Sequence, residues 1–216
     1  MNIELARRQM VQHQVRTVDV FDAEILAVLS SVPREQFVPA GLEALAFAET
    51  ELPLGNGQHM MEPDIEGRML QALEIQATDS ALEIGTGSGF ITACLARLAE
   101  SVVSIDIYED FQATAAANLE DTGITNFELQ IMDATRELPE QEFDVIATTG
   151  SIEVFDPALV MALRPGGRLF VVVGQAPNME ARLVTRTGDN DWETRSLFET
   201  VLAPLVNGGL PPQFSF

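Results

Sequence analysis

The sequence predicts one α/β unit: a doubly wound, mostly parallel, seven-stranded sheet with a helical extension at its N-terminus. Three observations carry this. A short apolar strand, 81–84, runs straight into Gly85-Thr86-Gly87-Ser88-Gly89 and then into a helical pattern. Beyond it, apolar strands and helices alternate in regular turn, as parallel strands joined by helical crossovers do. The chain has 216 residues, 46% of them hydrophobic, enough for one substantial core. We divide it into 1–78, a helical segment and loop packed on the core, and 79–216, the sheet, the two forming one integrated domain.

Taken in order, residues 3–15 show a loose helical pattern through Leu5, Met10, Val11 and Val15. Asp22 is placed to cap a second helix carrying Ile25, Leu26 and Leu29, which stops before Pro33. Val32-Pro33-Arg34-Glu35-Gln36-Phe37-Val38-Pro39 is bracketed by prolines and reads as an extended or turn-like connection. A short helix is expected over 42–47, then a loop from Leu54 to Pro63 with glycines at one end and proline at the other. Ile65, Met69, Leu70 and Leu73 mark the inner face of the helix leading to the first strand.

After the glycine turn, Ile91, Cys94, Leu95 and Leu98 share a helix face. Strands are expected at 102–106, 127–132 and 143–148, with helices at 111–119 and 158–163. Arg164-Pro165-Gly166-Gly167 should turn the chain into 168–173, an apolar strand buried on both faces. Residues 181–186 and 193–202, split by Gly188-Asp189-Asn190-Asp191, read as an antiparallel hairpin that finishes the sheet. The tail from Asn207 to Phe216 is rich in Gly and Pro and is expected to wrap the surface or fray.

The formal net charge is −21, and all twelve basic residues are arginine. Such a surface repels phosphate backbones and anionic lipid, which argues against nucleic acid and membrane partners. No apolar run of about 18 residues is present to span a bilayer. The N-terminus has no apolar signal stretch, and the single cysteine, Cys94, excludes a disulfide framework. A cytoplasmic location is expected.

The glycine turn is where chemistry is expected, because bare backbone there lets N–H groups approach a ligand closely. A dinucleotide fingerprint, G-x-G-x-x-G, would need glycine at position 90, where Phe90 stands. Instead the run is G-x-G-x-G with an acid, Glu83, inside the strand. That suits a small cofactor with a cationic amino group better than a pyrophosphate, and S-adenosyl-L-methionine is the cofactor expected. Asp106, 17 positions past Gly89, ends the second strand and is placed to accept from ribose hydroxyls. Asp133, at the third strand's end, could take the adenine amino group or serve as a solvated turn acid. The cofactor set is Glu83, Gly85, Thr86, Gly87, Gly89, Asp106, Ile107, Asp133 and Ala134; no residue is assigned to a metal. Thr149 and Gly150, at the fourth strand's end, could shape an acceptor pocket. His59, in the glycine-bounded loop, is a catalytic candidate whose alternative is an ordinary loop histidine; His13 reads as structural, and Met60 and Met61 as lid or core.

With these residues in view, the chain to about Leu205 resembles the protein-L-isoaspartate O-methyltransferases. The resemblance rests on 10–15, Val32-Pro33-Arg34-Glu35-Gln36-Phe37-Val38-Pro39, Leu54-Gly55-Asn56-Gly57-Gln58, 82–89, 103–106, 143–146 and Leu163-Arg164-Pro165-Gly166-Gly167-Arg168. It implies methyl transfer from S-adenosyl-L-methionine to the α-carboxylate of isoaspartyl residues in proteins or peptides. It also implies an acceptor-aiming Thr-Ile-Ser run after the Gly-x-Gly-Gln loop; this chain has His59-Met60-Met61, so Met61 stands at the acceptor-serine position. Two alternatives stay open: another peptide or small-molecule acceptor, with Met60, Met61 and Phe90 lining an apolar pocket, or cofactor binding without turnover.

Overall fold

The computed structural model describes residues 2–209. Of the expected tail, everything from Leu210 onward lies outside the described residues. Helix α1 (Ile3–His13) starts at Asn2, whose side chain accepts the Leu5 N–H at 3.1 Å. Helix α2 (Ala23–Ser31) starts at Asp22, which accepts from the N–H groups of Glu24 and Ile25 and relieves two of the helix's open donors. The proline-bracketed run holds a single 3-10 turn, Arg34–Gln36, and the short helix expected over 42–47 is another, Glu43–Leu45.

The stretch from Leu54 to Pro63 corrects the expectation of a loop. It forms a β-hairpin, β1 (Leu52–Gly55) against β2 (Gln58–Met60). The chain reverses through Asn56 and Gly57, both in the left-handed region at φ 52° and 72°. Asn-Gly is the pair that tolerates two such positions, and it was the available signal. The strands were too short, and Pro53 too disruptive, for alternation to show. Helix α3 (Pro63–Ala72) then carries Ile65, Met69 and Leu70 inward, with proline in its first turn.

The main sheet alternates as expected: β3 (Ser80–Ile84), α4 (Phe90–Leu98), β4 (Ser101–Asp106), α5 (Glu109–Asp121), β5 (Phe127–Ile131), β6 (Phe143–Ile152), α6 (Pro157–Met161) and β7 (Leu163–Gln175). Strands β8 (Asn178–Arg186) and β9 (Trp192–Glu199) close it antiparallel, giving seven strands in the order β5-β4-β3-β6-β7-β8-β9. Two details differ from expectation. The Arg164–Gly167 turn is an excursion inside β7, since Phe143 and Val145 of β6 pair with Leu163 and Arg168. Strand β6 does not end at Thr148 but continues to Ile152 across a bulge between Ala147 and Ser151.

Period-two alternation along β3 sends Leu82 and Ile84 to one face and Ala81 and Glu83 to the other. The first face packs under α6 through Leu159 and Val160. The second is covered by α4, and α1–α3 and the hairpin pack into the same cluster through Met10, Leu29, Met60 and Met69. Arg168 reaches the carbonyls of Leu73 (2.8 Å) and Glu74 (2.9 Å) and the carboxylate of Asp79 (2.7 Å), tying the end of α3 to the sheet. A guanidinium fork serves such a divergent set where a single ammonium could not. Among the described residues no helix is long and apolar enough to cross a membrane.

Candidate functional site

Strand order reverses between β3 and β6, so a crevice opens beyond their carboxyl ends. There a cleft of about 590 Å³ is walled by Gly85, Gly87, Asp106, Tyr108, Asp133 and Thr149, with Leu54, Gln58 and His59 of the hairpin on one side and Leu205 and Val206 on the other. A second pocket, deeper in that it reaches the buried Glu83, Glu66, Met60, Met61 and Phe90, shares Leu54, His59, Gly85, Gly87 and Thr149 with it.

The turn's glycines are required by geometry. Gly85 has φ 99°, and a β-carbon there would collide with Thr149 Oγ1. That hydroxyl lies 2.6 Å from the Gly85 carbonyl and 3.1 Å from that of Ile84, so Thr149, on the β6 bulge, clasps the turn from outside. Gly89, at φ 85°, lets α4 start within close reach of Ala115 on α5. Thr86 braces the turn from beneath, its hydroxyl 2.6 Å from Ser104 Oγ and accepting from Gln112 at 3.1 Å.

Asp106, at the tip of β4, accepts the Gly87 N–H on Oδ2 and the Tyr108 N–H on Oδ1, both at 3.0 Å. Burial raises its carboxyl pKa, against the lowering effect of the Gly87, Tyr108 and Ile107 N–H groups. Ile107 and Ala134 line the same cleft. Asp133 lies two residues past β5 at the far end. Its Oδ1 accepts from Thr135 and its Oδ2 from Asn207 at 2.9 Å. Burial pushes this carboxyl up, but those bonds and Arg136 outweigh it and hold the pKa below the usual value.

Glu83 is the most unusual group. It is wholly buried; its Oε2 accepts from the Thr92 hydroxyl and from Ser104 at 2.6 Å, while Oε1, on the same buried carboxylate, has no partner. Burial pushes the carboxyl up to about 8 despite those hydroxyls. An orphaned oxygen in a buried wall is costly unless a ligand supplies the missing donor.

The acceptor candidates separate. His59 is exposed and lines both cavities; Met61 is buried, lines the deeper one, has no side-chain donor, and has its carbonyl taken by Arg34 at 2.6 Å. Gly150 lies against Leu205, whose side chain a β-carbon would strike. Leu205 and Val206 are brought there because Leu205 N–H bonds to the Ser151 carbonyl (2.8 Å) and Ser151 Oγ to that of Leu202 (2.8 Å). Sequence reasoning missed these two, which sit beyond the last motif, and also Tyr108 and Phe111.

These walls suit a sulfonium nucleoside. They offer an unsatisfied buried carboxylate oxygen for an ammonium, a strand-end aspartate for a ribose diol, and a glycine cradle admitting backbone contact. Asp106→Ala should weaken S-adenosyl-L-methionine binding by at least about tenfold, roughly 1.4 kcal/mol, in a calorimetric titration. Unchanged affinity would remove Asp106 from the site.

A model of the protein-L-isoaspartate(D-aspartate) O-methyltransferase (PCMT) family matches residues 6–209. The protein-L-isoaspartate O-methyltransferase of Methanoculleus marisnigri is 38% identical over 202 residues, 93% of this chain and 91% of that one. That of Opitutus terrae is 39% identical over 182 residues, 83% and 78% of the respective chains. Among solved structures, a Plasmodium falciparum protein-L-isoaspartate O-methyltransferase in complex with S-adenosyl-L-homocysteine superposes with a TM-score of 0.80 at 15% identity. The match covers 92% of this chain and 97% of that one, a likeness of fold.

Proposed function

We propose that this chain, which belongs to the protein-L-isoaspartate(D-aspartate) O-methyltransferase family, transfers the methyl group of S-adenosyl-L-methionine to the carboxylate of isoaspartyl residues in proteins and peptides. The observation that carries the reading is the glycine turn flanked by Glu83, with its unpartnered oxygen, and Asp106. In this reading Glu83 meets the cofactor's ammonium, and Asp106 accepts from the ribose hydroxyls. Gly85, Thr86, Gly87 and Gly89 let the ligand come close to the main chain, although the N–H groups of the three glycines are already held by Ile105, Asp106 and Thr86. Ile107 and Ala134 stand beside the base. Asp133 stands at the adenine end of the cleft, where taking the base's amino group means giving up one of its present donors, Thr135, Asn207 or Arg136.

When bound, the cofactor supplies an already activated methyl group. The acceptor carboxylate is ionised near neutral pH, so the protein need not remove a proton. Its task is to hold the oxygen in line in a dry pocket, which is proximity and orientation. Thr149, by clasping Gly85, and Gly150, by admitting Leu205, shape the wall next to the methyl. The Met61 side chain cannot donate a hydrogen bond, which leaves Gln58 and His59 as the side-chain donors on the hairpin that line the cleft.

The test is incubation with S-adenosyl-L-methionine and an isoaspartyl peptide, reading base-labile methyl ester, with the aspartyl peptide as control. Met61→Ser should raise that activity severalfold by restoring a donor; no gain would remove the loop from acceptor recognition. A second reading, favoured by the Met60, Met61 and Phe90 walls of the deeper cavity, is a less polar acceptor. It predicts cofactor binding and methylation of other acceptors with no isoaspartyl ester, and cofactor binding without any methylation would mark a protein that does not turn over. The net charge of −21 supports a partner other than nucleic acid, and the lone buried cysteine supports a cytoplasmic setting. One apolar cluster running through 1–78 and the sheet supports treating the two as one unit.

A further inference from the structure

Arg34 is not among the residues lining either cavity, yet it heads the largest wholly buried side chains among the described residues. Its donors reach two elements and its face a third. Nε and Nη2 reach the two carboxylate oxygens of Glu66 on α3, at 3.2 and 3.1 Å. Nη2 also reaches the Met61 carbonyl at 2.6 Å, and Nη1 the Met60 sulfur at 3.3 Å, both where the hairpin ends. The guanidinium carbon stands 5.1 Å from the ring centroid of Phe90, the first residue of α4 after the glycine turn.

A fully buried ion pair is a poor way to gain stability, since well-packed apolar residues of similar volume often hold a core as well or better. What this pair supplies that apolar packing would not is direction. Hydrogen bonds at fixed angles set where the Met60-Met61 wall stands relative to the helix that begins at the cofactor turn. Glu66 itself lines the deeper cavity, so the pair is part of that cavity's foundation.

We infer that Arg34, locked by Glu66, is a positioning residue for methyl transfer: it fixes the acceptor wall against the start of α4 and so sets the distance between acceptor and methyl. The inference rests on the reading that the acceptor meets the cofactor along this wall. It requires that loosening the pair damage catalysis while leaving cofactor binding intact, because no cofactor-facing group of the turn bonds to Arg34.

The experiment compares wild type with Arg34→Met/Glu66→Leu, an apolar pair of similar bulk, and with Arg34→Lys, which keeps the charge but not the fork. If the apolar pair fails to fold, Glu66→Gln takes its place. Expected are a melting temperature within a few degrees of wild type, cofactor Kd within threefold, and kcat for isoaspartyl peptide down at least tenfold, with the lysine variant not rescued. Amide hydrogen exchange should quicken at residues 58–62 and stay unchanged at 85–89. Wild-type kcat in the apolar pair would reduce Arg34 to a packing role and overturn the inference. So would a Kd that weakens in step with kcat. If wild type itself makes no isoaspartyl ester, the proposed function fails and the positioning role falls with it; if wild type does make the ester, unchanged protection at 58–62 in the variants also overturns the inference.

Discussion

Gly85→Ala should abolish useful cofactor binding, raising Kd for S-adenosyl-L-homocysteine more than about a hundredfold, or roughly 2.7 kcal/mol. Two effects add. A side chain at φ 99° is strained by itself, at a cost of about 1–3 kcal/mol. The added carbon would also drive into Thr149 Oγ1, pushing the β6 bulge and its clasp away from the turn. Leu205, 3.7 Å from the same point, closes off the other direction. Gly123→Ala is the matched control: its φ is 69°, but nothing lies within 4 Å of the new carbon. It should lose stability of order 1 kcal/mol and keep full affinity. Calorimetric titration and thermal melts of both variants separate strain from collision. Affinity within threefold of wild type in Gly85→Ala would show that the turn does not carry the cofactor.

The second large effect is on pH dependence. In the cofactor-free protein burial holds the Glu83 carboxyl near 8, so at neutral pH it keeps its proton. A cofactor ammonium prefers the carboxylate, so binding below pH 8 must expel that proton. Affinity should therefore fall as pH drops from 8 to 6, by up to about tenfold per unit. Titration at pH 7 in two buffers of different ionisation enthalpy should register about one proton released. Glu83→Gln keeps the shape and can still accept from Thr92 and Ser104 but carries no charge; it should bind more weakly at pH 8 and show a flattened profile. An unchanged slope in that variant would place the linked proton elsewhere. For stability the sign is opposite. A carboxyl raised from 4.5 to about 8 on folding contributes stability that is complete below 4.5 and is lost as pH rises through 8. The cofactor-free protein should accordingly melt lower at pH 8 than at pH 6, and cofactor should narrow the difference.

The strands of the main sheet were legible because each is a compact apolar run bounded by turn residues, and the acids that line the cleft, Asp106 and Asp133, because carboxylates at strand ends have few ordinary reasons to be there. The hairpin was not, since strands of four and three residues cannot display a period. The polar run Thr148-Thr149-Gly150 looked like the end of β6 when it is a bulge within it; nothing local distinguishes the two, because the strand resumes only by pairing Ser151 and Ile152 with β7. Arg34 stood unmarked in the proline-bracketed connection, and no pattern singled out Glu66. Only the tertiary fold, which brings together positions 32 apart in sequence, shows that each is the other's counter-charge. Leu205 and Val206 reach the cleft by main-chain bonds to β6, which side-chain patterns do not encode.

The hairpin is held differently at its two ends. Where it joins α3 it is rooted in the buried guanidinium cluster, whereas at its tip Asn56 grips Asp110 through a water-exposed amide–carboxylate bond of 3.0–3.2 Å. Such a wall is pinned unequally, by a buried cluster at the root beside the deeper cavity and by one exposed bond at the tip, with Leu54 and His59 between them lining both cavities. Water-exposed bonds open more readily than buried ones, so amide exchange along this short ribbon should begin at the tip and reach the guanidinium cluster last.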